Sequence, residues 1–252
     1  MEIFAILAAI AVIAGSIVLS LNPNSPPGLG TARTATPRRL FLAGGPVLFP
    51  GGRVFDGSLS RDPLNVGDID VLRAGVVMGK ITATGLYAPS IIGVLPSAHD
   101  SSGTTLTSLT VGVANATEIV RRIGSSGTFK LIGPPSAGGT VAATAVTFSA
   151  VNTTTGVVTI TDIAVNKIAG TFITSDDGSE TPLGLIADEY GIKVTDVDDA
   201  DIDGPFNLAI GGIVDASQIV NYPSDTALIA WLKGKLNDET AGGAGFTFDD
   251  TY

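Results

Sequence analysis

"RAGVVMGKITATGLYAPS", Arg73–Ser90, alternates small apolar residues with Gly and Thr and then turns at a glycine. Val77, Gly79, Ile81 and Ala83 fall on one side of an extended chain, and Met78, Lys80, Thr82 and Thr84 on the other. Gly85 supplies the turn and Tyr87 begins the return. The stretch therefore predicts a pair of strands, and it offers no side chain suited to chemistry. A chain organised around such a segment is mainly β and works through backbone and shape.

The same grammar extends outward. "AVTFSAV" and "VVTITDI" flank "NTTTG", Asn152–Gly156, which predicts a hairpin with Val146 and Phe148 facing Val158 and Ile160. "NATEIVRRIG", Asn115–Gly124, fits a short helix. Residues 101–170 then form a small β subdomain inserted into a body at 67–100 and 171–240. Inserted units have nearby ends, so this one should be removable. "SDTALIAWLKGKLND" begins with cap-capable Ser224 and Asp225 and spaces Leu228, Ile229, Trp231, Leu232 and Leu236 for one short C-terminal helix. Residues 241–252 read as a flexible or docking tail. The expected fold is a small β-barrel or sandwich-like body with that insertion and that helix.

Composition agrees. Gly at 32, Pro at 14 and charged residues at only 15% favour short strands joined by turns. The net charge of −10 is uneven, because residues 171–252 carry three Lys/Arg against sixteen Asp/Glu. An acidic third of this kind repels phosphate, which argues against a nucleic-acid partner.

The chain opens with "IFAILAAIAVIAGSIVLSL", Ile3–Leu21, free of charge. As a helix it would reach ~28 Å, close to the thickness of a bilayer's hydrocarbon core. A membrane anchor, a helix buried in an assembly and a signal-like start all fit. Residues 22–66 follow as linker and arm. "NPNSPPGLGTARTATPRR" has four Pro and cannot continue a helix. "RRLFLAGGPVLFPGGRVFDG", Arg38–Gly57, is basic and apolar together, with Phe41, Phe49 and Phe55 separated by Gly-Pro breaks. Such a segment is either part of a domain or an arm that docks elsewhere.

Constellations for catalysis lack parts. "HDSSG", His99–Gly103, places adjacent residues on one loop, whereas a Ser–His–Asp triad needs groups converging from a scaffold. With one His and no Cys, zinc and thiolate schemes find no ligand set, and no cofactor is expected. Asp199, Asp201, Asp203 and Gly204 match the opening of a calcium loop, but the closing acid falls at Ile210, which makes this a weak candidate.

Four stretches recur in an order of their own: "TPRRLFLAGGPVLF", "LRAGVVMGKITATGLYAP", "SDDGSETPLGLIADE" and "GPFNLAIGG". In that order the chain resembles the lambda-type head-decoration (capsid cement) proteins of tailed bacteriophages, over residues 36–100 and 170–215. The resemblance implies a homotrimer on the outer surface of an expanded capsid, with the major capsid protein as partner. It further implies an arm that orders on the shell by extending a capsid sheet. Here that role falls to Arg38, Arg39, Leu40, Phe41, Phe49 and Phe55. The insertion and the hydrophobic head depart from the family's short pattern. The other reading of the chain is a membrane-anchored or surface-displayed β-rich adhesin, with residues 3–21 as anchor.

Overall fold

The computed structural model describes residues 37–101, 105–238 and 245–250. The hydrophobic segment 1–21 and the linker up to residue 36 lie outside the described residues. Pro37 onward forms one compact unit. It is mainly β with curled sheets and two helices.

In chain order the strands are β1 (Phe41–Leu48), β2 (Arg53–Phe55), β3 (Val71–Leu72), β4 (Val77–Lys80), β5 (Tyr87–Pro89), β6 (Gly93–Val94), β7 (His99–Asp100) and β8 (Leu106–Thr110). Helix α1 (Val113–Arg122) precedes β9 (Gly127–Gly133), β10 (Ala142–Asn152), β11 (Val157–Ile163), β12 (Asn166–Lys167) and β13 (Phe172–Thr174). Next come β14 (Pro182–Ile186), β15 (Ile192–Lys193), β16 (Gly204–Phe206) and β17 (Leu208–Asp215). Helix α2 (Thr226–Leu236) and β18 (Gly245–Asp249) complete the series.

The larger sheet has the order β1-β17-β14-β4-β5-β2-β16, with β18 added in parallel along the second half of β17. Its central strands β4, β14 and β17 are buried on both faces. Val77, Leu185 and Ala209 pack beneath α2 with Leu228, Leu232 and Leu236. Their chain neighbours Met78, Ile186 and Leu208 enter a separate core with Phe55, Tyr87 and Phe206. The side-chain period of two sorts adjacent residues into different cores. The extended run is shorter than the alternation over residues 77–84 suggests. Pairing stops at Lys80, and Ile81–Gly85 is the turn, closed by the Gly85 N–H donating to Ile81 O at 2.9 Å.

Gly79 is required by what lies over it. A Cβ there would overlap the carbonyl oxygens of Ser179 and Thr181, so the Ser175–Glu180 turn rests on the β4–β5 hairpin. Asp225 caps α2 by accepting from the N–H groups of Ala227 and Leu228. Trp231 is half-buried, its ring 5.9 Å from that of Phe172.

The predicted hairpin forms, with Phe148 opposite Ile160 and Val151 opposite Val158. α1 forms two residues earlier than its sequence suggests, on the inner face of the second sheet, β6-β13-β9-β10-β11-β8. That sheet crosses the expected domain boundaries. β9 of the insertion pairs with β13 of the body, and Ile92, Leu95 and Ile173 share a core with Leu109, Ile119, Phe129 and Val158. Residues 101–170 are therefore continuous with the body. The tail is also built in from Gly245. Phe246 is buried, and the Asn237 side chain brackets it, accepting from its N–H and donating to its carbonyl.

Candidate functional site

The six residues assigned to a docking arm lie on or beside the first two strands, and the body holds most of them. Arg38 donates from its backbone N–H to Glu189 O and from Nε to Gln218 Oε1. Burial, and next to it the Arg73 guanidinium, lower its pKa against the opposing pull of Asp62 and Asp215. Arg39 is exposed and reaches the Leu42 carbonyl. Leu40 is buried under α2, and Phe41 packs against the same core. Phe49 lies half-buried on the second core with the Arg53 guanidinium 3.5 Å from its ring centre. Phe55 is fully enclosed, its ring 6.3 Å from that of Phe206. A loose arm running from Arg38 to Phe55 is thus corrected. Both ends are anchored, because large aromatic and aliphatic side chains gain more from burial than from solvent.

Between the anchors the chain is exposed. β1 pairs irregularly with β17, Ala43 opposite Ile213 and Val47 opposite Gly211, so Gly44–Pro46 arch over the single residue Gly212. Ala43–Leu48 are exposed, with Val47 at 49%. Among the described residues no strand pairs with the outer edge of β1. An open edge offers unpaired N–H and C=O groups to another chain.

Sequence reading missed a second feature, a buried polar knot. Arg122, at the end of α1, donates to Pro89 O and to the hydroxyls of Ser179 and Ser175. Burial lowers its pKa to about 10 despite Asp177. Asp177 Oδ1 accepts from the hydroxyls of Ser175 and Ser179 and from the Ser179 N–H at 2.8, 2.5 and 2.9 Å. Burial pushes this carboxyl up, but the Ser179 hydroxyl and Arg122, with the other donors, hold it below its ordinary value. Asp177 therefore adds stability that is complete above its unfolded pKa of about 3.9 and fades as pH falls through the lower folded value. Melts recorded from pH 5 to pH 2 should show Asp177→Asn losing less stability on acidification than the parent. Equal acid sensitivity would remove Asp177 from this role. The only signal in the sequence was "RR" at the end of a helix, which reads as a solvated pair.

His99 Nε2 lies 3.0 Å from the Thr110 carbonyl, and Asp100 Oδ2 accepts from Ser136. Ser102 and Gly103 lie outside the described residues. Of the calcium candidates, Asp201 pairs with Arg61, Asp203 accepts from the Gly57 N–H at 2.9 Å, and Asp199 occupies a turn at φ +59°. Among the described residues no three His, Cys, Asp or Glu side chains converge as metal ligands. Thermal midpoints in EDTA and in millimolar calcium should coincide. A site saturated a hundredfold above its Kd would add ~2.7 kcal/mol, enough to separate the two curves.

Among the described residues no helix is long and apolar enough to cross a membrane. Comparison of the chain with protein-family models, with curated proteins and with solved structures finds no match.

Proposed function

We propose that the protein is a structural virion component, a cement that binds the outside of an expanded phage capsid as a homotrimer. One observation carries the reading. The four separated stretches that resemble decoration proteins lie in one sheet, supplying the neighbours β1, β17, β14, β4 and β5 and, at the far edge, β16. Motifs scattered by chance have no reason to share a sheet. The arch and outer edge of β1 supply the docking surface in this reading, and Arg39 beside them suits an acidic shell. The partner is the major capsid protein, no nucleic acid is needed, and the protein has no enzymatic role.

The competing reading, a membrane-anchored binding module, draws on the uncharged run Ile3–Leu21. Co-sedimentation with purified virions against carbonate-resistant retention in membranes separates the two. Sedimentation equilibrium at micromolar concentration should give a trimer, and a strict monomer would count against the cement role.

A further inference from the structure

Among the described residues the two most exposed large apolar side chains lie on two loops, 62–70 and 195–203. Val66 is 95% exposed and Val197 85%, and Leu64, Ile69 and Ile202 are exposed beside them. The loops are tied together. Arg61 pairs with Asp70 at 2.7 Å and with Asp201, the Val194 N–H donates to Asp70 O, and the Ile202 N–H donates to Val194 O. Each loop is also held internally. Asn65 donates to Asp68 O and Val71 O, and Asp196 accepts from the N–H groups of Asp198 and Ala200. The apolar tips are therefore presented in one fixed arrangement, which lowers the ordering cost of binding. Scattered exposed valines need no explanation, whereas a rigid cluster marks a contact surface.

Charge specifies the partner. Residues 61–70 and 193–203 hold eight Asp against Arg61 and Lys193. Arg61 is consumed by Asp70 and Asp201, and Asp62 is consumed by Arg73 at 2.6 Å. The field around Val66 and Val197 is strongly negative. A second copy presenting the same surface would bring like charges together, which costs several kcal/mol.

We propose that these two loops form a docking surface for a cationic, apolar segment of another protein. Apolar side chains of the partner cover Val66 and Val197, and its Arg or Lys groups meet the surrounding aspartates. This surface lies in segments other than the β1 edge and does not depend on the capsid reading.

The test uses the full chain and three synthetic peptides of equal length: alternating Arg-Leu, Arg-Ser and Asp-Leu. Binding is followed by fluorescence anisotropy, and the footprint by amide hydrogen exchange. The Arg-Leu peptide should bind and protect residues 62–70 and 195–203. The double variant Val66→Ser, Val197→Ser should bind it at least tenfold more weakly, and so should Asp198→Asn, Asp199→Asn. Val113→Ser, altering an exposed valine on α1, should leave affinity unchanged. Equal binding of Arg-Ser would reduce the surface to bare charge and overturn the proposal. Protection elsewhere, or self-association through these loops in sedimentation without peptide, would overturn it too.

Discussion

Replacing residues 101–170 by a short Gly-Ser link should abolish the cooperative melt. The cut removes β9, the partner of β13, and leaves Ile92, Leu95 and Ile173 without the core they share with the inserted strands. Each such side chain contributes about 1.5–3 kcal/mol by burial, so three approach the whole stability of an ordinary domain. The deletion also takes Ile132 from the core beneath α2. It removes Arg122 as well, leaving Pro89 O and the Ser175 and Ser179 hydroxyls without their buried donor. Calorimetry of the deletion variant is the check. A sharp transition near the parent temperature would show that the insertion is separable after all.

Phe55→Ala should cost about 3–5 kcal/mol of folding stability, the usual penalty for emptying a fully buried aromatic site. Phe55 is enclosed by the second core, its ring 6.3 Å from that of Phe206, which in turn meets Tyr87 edge-on at 5.7 Å. Val47→Asp should do the reverse. Val47 projects beside the arch of β1, so its replacement should shift stability by no more than ~0.5 kcal/mol. If β1 docks on the shell, the buried carboxylate should weaken binding to expanded, undecorated capsids at least tenfold. Denaturant melts and shell co-sedimentation of the two variants separate folding from docking. A stable Phe55→Ala that fails to bind would return Phe55 to the arm. A Val47→Asp variant that binds normally would move the docking surface away from β1.

The chain's polar clusters, at Arg122–Asp177 and Arg61–Asp201, join segments far apart in sequence, the first buried and the second at the surface. Groups engaged in this way fasten loops and helices together.

Periodicity and turn chemistry determined the local structure. The alternation at 73–90, the Asn152–Gly156 turn and the apolar spacing after Asp225 each became the element they predict, because the signals are short-range and each residue reports its own backbone preference. Composition likewise left zinc and thiolate schemes without a ligand set, since the chain has one His and no Cys. Only the tertiary structure decided where the arm and the insertion belong. Gly-Pro breaks around Phe41 and Phe55 look the same whether the rings meet a shell or the chain's own core. Burial depends on β17 and β16, more than a hundred residues away. Likewise Arg121 and Arg122 are twins in sequence, yet Arg121 pairs with Glu118 near the surface while Arg122 is sealed against Ser179. The difference is which face of α1 meets the body, and that is set by packing between distant segments.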